Sequence, residues 1–499
     1  MSKSGSVAAP HTWVIAKLES IVSINYGKAL SASTRAHNGT VPVVGSSGIV
    51  GQHNQSLVDG ACLVIGRKGA AGAVHLISQS SWPIDTAYFI QSPPGINLSY
   101  LYYFLSSQEL GQLDKSTAIP SLSRDDLYGV EVPIAPESEQ ARIVEKLEEL
   151  LSDLDAGVAE LKAAQRKLAQ YRQSLLKAAV EGALTADWRA ARSRSGEPQE
   201  TSADLLQRFL TERRARWEAK QLTKFGEQGK TPPKGWQAKY PEPAAPDVAE
   251  LPSLPEGWVW ATIDQCAIDE NGITDGPFGS NLKSEHYTES GPLVIRLQNI
   301  GDGRFLDARA HISEERYEHL GKHAVIEGDV VVAMLGEVLP RSCVIPAGVV
   351  PAIVKADCAR VRLNPELIPP TLAVAVLNAE PTRKRVNRLV KGIGRPRVNL
   401  GHIRSIAVPL PPRAEQDRIL DVLSEALESC DGQNSAIERG FYLSAAQRKN
   451  ILKAAFTGQL VPQHPHDEPP STLLERIRSD RASRTGTAKA RGRKPRTTA

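Results

Sequence analysis

Leucines recur every seven residues at Leu147, Leu154, Leu161, Leu168 and Leu175, with Ile143, Leu150, Ala164, Tyr171 and Ala178 in a complementary seam. Apolar positions at that spacing make the stripe of a coiled-coil helix. The segment that carries them, Val132 to Leu184, returns 276 positions later: Pro133 as Pro409, Pro136 as Pro412, Glu139-Gln140 as Glu415-Gln416, Arg142-Ile143 as Arg418-Ile419 and Leu176-Lys177-Ala178-Ala179 as Leu452-Lys453-Ala454-Ala455. Gly182 and Leu184 return as Gly458 and Leu460, so the register does not slip. The second stripe is thinner, with Leu423, Cys430, Ile437 and Ile451 interrupted by Ser444 and by Gly432 and Gly440. Prolines close the extended segment before each copy. Glu137 and Glu139 then suit the positive end of a helix dipole. Each copy predicts one long helix, about 70 Å if continuous. Leu147, Leu154, Leu161, Leu168 and Leu175 on one copy and Leu423, Ile437 and Ile451 on the other are the candidate pairing residues.

Ahead of each helix the pattern changes to short β-branched runs bounded by Gly, which read as strands. They include VPVVGSSGIVG (Val41–Gly51) and GACLVIGRKGAAG (Gly60–Gly72), followed by a helix near Leu98–Leu110 and a closing STAIPSLSRDDL (Ser116–Leu127). A second such region opens with EGWVWATI around Trp258, echoing HTWVIAKL around Trp13. It predicts strands in Gly291–Ile300 and Gly328–Leu335, a helix near Thr371–Asn378, and a close in GRPRVNLGHI whose Pro396 again lies 276 after Pro120. Residues 186–253 connect the two through a charged helical stretch and then Pro-rich KTPPKGW and PEPAAPDVAELPSLPEGW, which read as an extended tether. LLQR at Leu205 is echoed by LLER at Leu473.

The expected fold is α+β: two mixed or mainly β domains, 1–131 and 254–407, separated by two long antiparallel coiled-coil helices, 132–185 and 408–461, in a pseudo-two-fold tandem repeat. The connector is 186–253, and 462–499 is an exit helix with a basic disordered tail. Paired antiparallel, the helices would hold the variable domains at opposite ends of a rigid spacer. They would also offer one partner the same surface twice.

At 499 residues the chain exceeds one hydrophobic core. No apolar run reaches membrane-spanning length and the N-terminus lacks a charged-then-apolar signal sequence, so a cytoplasmic location is expected. Five scattered cysteines, Cys62, Cys266, Cys343, Cys358 and Cys430, form no CxxC pair and read as buried thiols. The net charge is +4, but from Arg476 onward nine Lys or Arg face the single acid Asp480. Any nucleic-acid face must therefore be a local patch plus this tail.

These features together resemble the specificity (S) subunit of a Type I restriction-modification system. The resemblance rests on VPIAPESEQARI (Val132–Ile143) and VPLPPRAEQDRI (Val408–Ile419), LLKAAVEGAL (Leu175–Leu184) and ILKAAFTGQL (Ile451–Leu460), LPEGW (Leu254–Trp258), DGPFGSNLK (Asp275–Lys283) and VIRLQNI (Val294–Ile300). It covers residues 12 to 478. Departures are HTW at His11–Trp13 where LPxGW is usual, and STAIPSLS where a GxxxP pattern is commoner. The resemblance implies target-recognition domains reading a split, asymmetric double-stranded DNA site and helices docking two methyltransferase (M) subunits. Restriction (R) subunits would join in the full complex. It implies S-adenosylmethionine in the M subunits, ATP and Mg in the R subunits, and no cofactor in this chain.

Catalytic motifs are missing. The nearest string to a base-flipping methyltransferase loop is NPEL at Asn364–Leu367, without the second proline and the aromatic, and the Gly60–Gly72 loop lacks Walker spacing. His464, His466 and Asp467 stand alone as potential metal ligands, so neither a metal site nor a catalytic residue is expected. Candidate DNA contacts in the first domain are Arg67, Lys68, Lys115, Ser121 and Arg124. In the second they are Lys283, Arg296, Gln298, Asn299 and the run Arg383, Lys384, Arg385, Arg388, Lys391, Arg395 and Arg397. Two other readings stay open: an enzyme with an unrecognised site in the Gly60–Gly72 or Gly328–Gly336 loops, and a coiled-coil adaptor that binds protein only.

Overall fold

A computed structural model describes residues 10–36, 38–91, 94–114, 120–195, 200–390 and 396–479. The chain divides into two compact units that are not consecutive segments: Met1–Ala163 with Ile437–Ala499, and Ala164–Ala436. Each unit takes one variable domain and a part of each long helix.

In the first unit the strand Val14–Lys17 pairs antiparallel with Glu131–Ile134, Val14 opposite Ile134, and so ties the two ends of the variable domain together. Four strands, Asn25–Tyr26, Ala87–Ile90, Cys62–Gly66 and Val74–Ile77, lie side by side in that order. A three-stranded sheet follows the order Gly48–His53, Val41–Gly45, Trp82–Pro83. Cys62–Gly66 is buried at every position, as its unbroken apolar run demands of a strand covered on both faces. The helix Leu98–Ser107 is capped by Asn97, whose side chain accepts from the N–H groups of Ser99 and Tyr100.

The second unit repeats this plan. Val259–Thr262 pairs with Ala407–Leu410, Val259 opposite Leu410, and Leu410 lies 276 after Ile134. Its sheets follow the orders Ile273–Asp275, Cys358–Val361, Val330–Ala333, Arg341–Val344, and His311–Ile312, Tyr287–Ile295, Ala352–Val354, Ala324–Val325. The strand expected over Gly291–Ile300 ends at Ile295 and gives way to a 3₁₀ turn, Leu297–Asn299. The expected helix appears as Pro370–Asn378.

The long helices are Glu137–Val180 and Arg413–Phe456, each of 44 residues. Within each unit their segments run antiparallel, and the same ion pair marks both. In the first unit Arg448 meets Asp155, and in the second Arg172 Nη1 lies 3.1 Å from Asp431 Oδ1. Arg448 and Asp431 are the 276-residue equivalents of Arg172 and Asp155. In the first unit a Cβ at Gly440 would stand 2.9 Å from Leu161, so the glycine that thins the stripe also admits a leucine. The expected pairing positions are buried or half-buried. The complementary seam needs correction, because Tyr171 is 53% exposed and Ala164 is also exposed, while Leu151 and Leu176 are buried instead. A helix of 3.6 residues per turn drifts away from a strict seven-residue repeat.

Two side chains at the start of each helix fasten it to its variable domain. Glu139 Oε2 accepts from Trp13 Nε1 at 3.1 Å, and Glu415 Oε2 from Trp258 Nε1 at 2.8 Å. Gln140 Nε2 donates to the Ala135 carbonyl at 2.9 Å, and Gln416 Nε2 to that of Pro411 at 2.9 Å, both fully buried. The paired EQ motif is therefore a latch. The five cysteines are free and buried.

The connector is not an extended tether. Its helix, Ser202–Glu227, buries Leu205, Phe209, Arg213 and Trp217 in the second unit. The Pro-rich stretch then folds back so that Trp236 stacks on Trp217 at 5.8 Å and Tyr240 meets it edge-on at 5.3 Å. The apolar area that these three aromatic side chains bury opposes the entropic cost of ordering the chain. Leu473, Leu474 and Ile477 bury in the first unit, so the LLQR and LLER echoes each close a core.

Candidate functional site

In the first unit a glycine-rich turn holds four of the sequence-nominated residues together. Leu122 N–H donates to the Arg67 carbonyl at 2.9 Å and Gly69 N–H to that of Pro120 at 3.0 Å, so Lys68 lies opposite Ser121. Gly69 and Gly72 hold φ of +80° and +83°, a conformation that favours glycine. The N–H groups of Gly66, Gly69 and Gly72 all donate to chain carbonyls, which leaves no nest for a nucleotide phosphate.

Around this turn gathers a residue that sequence reasoning missed, Tyr26. It lies on a two-residue edge strand, too short for any periodic signal, and is 49% exposed. The guanidinium groups of Arg67 and Arg124 each lie 5.2 Å from its ring centroid. Arg67 Nη1 also donates to the Asp85 carbonyl at 3.0 Å, and Arg124 lies 5.8 Å from the Tyr128 ring. Among the described residues no carboxylate pairs with Arg67, Lys68 or Arg124. The cluster is an exposed aromatic ring flanked by two guanidinium groups, with exposed Lys68 on the adjoining turn, suited to a polyanion with apolar surface. Lys115 lies outside the described residues.

The second unit builds the same turn from different side chains. Val398 N–H donates to the Met334 carbonyl at 2.9 Å and Gly336 N–H to that of Pro396 at 3.2 Å, which sets Leu335 opposite Arg397. Met334 and Leu335 thus stand where the first unit has Arg67 and Lys68, and Arg397 where it has Ser121. Arg397 pairs with Asp357 at 2.6 Å and lies 6.0 Å from the ring of Phe278, which is 47% exposed.

The basic run is largely compensated. Arg383 pairs with Asp302 at 2.8 Å with its side chain 13% exposed, Lys384 with Glu380 at 2.8 Å, and Arg388 with Glu250 at 3.8 Å. Arg385 donates to Thr382 and to the Ala407 carbonyl and lies against Trp260. The described cations from Arg383 to Arg388, nominated as DNA contacts, therefore find partners within the fold, and Arg383 and Arg385 act as packing residues. Lys391 and Arg395 lie outside the described residues.

Asn299 also leaves the candidate surface. It is fully buried, its Oδ1 accepts from Arg296 N–H, and its Nδ2 donates to the Leu306 and Ala308 carbonyls. It shapes the turn that presents Arg296 and Gln298. Arg296 reaches the Ala308 and Arg309 carbonyls at 3.3 Å, and Gln298, oriented to satisfy both groups, accepts from it at 2.9 Å. Lys283 is exposed, 3.5 Å from Glu285. In the first unit Asp467 is held by Ser138 and Arg142 at 2.5 and 2.6 Å, so the HPHD string serves as a clasp on the helix start.

Comparison with known proteins agrees with this architecture. Residues 10–163 match the Type I restriction modification DNA specificity domain. The chain is 22% identical over 497 residues to the EcoDI specificity subunit of Escherichia coli, covering 96% of this chain and 97% of that one. It is 23% identical over 367 residues to the EcoKI specificity subunit of Escherichia coli (strain K12), covering 72% and 65% respectively. Among solved structures, a chain described under complex assembly and conformational transition of the type I R-M system aligns with a TM-score of 0.57 at 15% identity, over 91% of this chain and 99% of that one. The chain thus carries a match to this DNA specificity domain over residues 10–163 and is similar along nearly its whole length to a specificity subunit of a Type I restriction enzyme.

Proposed function

We propose that this subunit recognises a bipartite, asymmetric double-stranded DNA site, each unit reading one half, and that its long helices carry two methyltransferase subunits. One observation carries this reading: the Pro120 and Pro396 turns share one backbone plan while their side chains have diverged, with exposed Lys68 against half-buried Leu335, half-buried Arg67 against buried Met334, and Ser121 against Arg397. A common scaffold with different reading groups is what two different half-sites require. The duplicated latch and ion pair support a helix surface presented twice. On this reading S-adenosylmethionine belongs to the methyltransferase partners, ATP and Mg to the restriction subunits, and the complex works in the cytoplasm. No helix among the described residues is long and apolar enough to cross a membrane.

Exchanging residues 12–130 for the equivalent domain of another family member tests it. With the partner methyltransferase present, one half of the methylated motif should change and the other stay. A motif altered in both halves, or methylation without sequence preference, would refute it.

A further inference from the structure

We propose that Tyr26 is a DNA-contacting specificity residue at the centre of the first unit's cationic cluster, an inference that rests on the DNA-recognition reading. Its ring is half exposed on an edge strand, with Arg67 and Arg124 each 5.2 Å from its centroid and Lys68 exposed on the adjoining turn. Here the ring interacts edge-on with Tyr88 at 5.1 Å, and Tyr88 is anchored by a hydrogen bond to the Leu122 carbonyl. The ring is therefore positioned by the same turn that positions the cations.

The parts divide the work by chemistry. Guanidinium and ammonium groups without carboxylate partners bind phosphate oxygens and release condensed counterions, a contribution that falls with salt. The ring carries no charge. It offers an apolar face to the sugar and base edges, as aromatic and methyl groups do when they contact a thymine methyl. Among the described residues the second unit's corresponding turn differs: it has Met334 and Leu335, and Arg397 pairs with Asp357. In the first unit the cations thus supply the salt-dependent share of binding, and Tyr26 carries discrimination within its half-site.

The test uses the full chain with its partner methyltransferase and the duplex that the wild-type complex methylates, alongside duplexes with one or the other half-site scrambled. Tyr26→Ala should weaken specific binding about tenfold, shrink discrimination at the first unit's half-site only, and leave the salt slope unchanged. Tyr26→Phe, which keeps the ring, should restore affinity to within about threefold. Arg67→Gln with Arg124→Gln should flatten the plot of log affinity against log salt by about 0.9 for each phosphate that is no longer neutralised. If Tyr26→Ala keeps wild-type discrimination, or loses it equally at both half-sites, the proposal is overturned while the DNA reading stands. A wild-type complex that binds all three duplexes alike overturns both.

Discussion

Glu139 and Glu415 hold equivalent places in the repeat, yet replacing each by glutamine should have very different consequences. Glu415 is 2% exposed and receives Trp258 Nε1, Thr185 Oγ1 at 2.7 Å and Arg189 Nε at 3.0 Å. The positions equivalent to Thr185 and Arg189 in the first unit are Val461 and Pro465. Glu139, 1% exposed, accordingly has only Trp13 on Oε2, and its buried Oε1 has no partner among the described residues. Glu415→Gln removes a charge-assisted bond worth about 1.5–3 kcal/mol. Breaking a fully buried pair costs about 3–5 kcal/mol, but Arg189 keeps a quarter of its side chain in solvent, so about 2–3 kcal/mol is expected. Glu139→Gln retains an acceptor for Trp13 and relieves a buried charge, so its effect should stay within about 1 kcal/mol. Hydrogen exchange read by mass spectrometry follows the two sites separately through the strands Val259–Thr262 and Val14–Lys17. A loss of about 2–3 kcal/mol appears as roughly 30- to 150-fold faster exchange where global opening dominates. Equal losses at the two strands, or a larger one for Glu139→Gln, would refute the reasoning. Acidity supplies a second check. Burial raises the Glu139 pKa above its ordinary 4.5, against the opposing pull of Trp13 and Arg142. The stability its protonated form confers is therefore complete below 4.5 and lost as pH rises through the raised value. Asp467, held low by Arg142 and Ser138, keeps its contribution until pH falls through its own depressed value. Between neutrality and 4.5 the first unit of the wild type should gain stability relative to Glu139→Gln.

Gly182→Ala and Gly458→Ala should each cost about 2–4 kcal/mol in denaturant titration. Both glycines have positive φ, +72° and +69°, and an added Cβ would overlap Pro255 in one unit and Pro10 in the other. A neutral result at either would show that the helix ends are not seated as described. Double-mutant cycles on Arg172–Asp431 and Arg448–Asp155 should give less than about 1 kcal/mol each, with the first larger because its side chains are less exposed, 19% and 38% against 40% and 64%. The reverse order would count against the assigned burial. One heptad inserted after Leu161 and one after Ile437 lengthens each helix by about 10 Å, about three base pairs of duplex. If the helices set the distance between half-sites, surviving methylation should favour a longer spacer with both half-site sequences unchanged, and full activity at the original spacer would exclude that role.

The helices and the repeat were readable because long elements repeat their signal many times: one offset places Pro133, Glu139 and Gly182, and the structure uses each twice. The central strands were readable as unbroken apolar runs. What escaped was set by contacts distant in sequence. Tyr26 belongs to a two-residue strand and acquires its neighbours only when Arg67 and Arg124 fold onto it. Asn299 looks like a polar surface residue until three local bonds bury it. The cations from Arg383 to Arg388 read as unpaired because Asp302 and Glu250 are remote in the chain. The Pro-rich connector reads as a tether because composition does not reveal that Trp236 and Tyr240 return to Trp217.

On the proposed function, one chain with two diverged reading surfaces selects a divided DNA site. The most direct measurement is the pattern of methylated bases across a genome in cells expressing this chain with its partner methyltransferase. The account predicts one motif made of two specified halves that differ in sequence, separated by a fixed run of unspecified bases. A single uninterrupted motif, two identical halves, or methylation unchanged when this chain is deleted would contradict it.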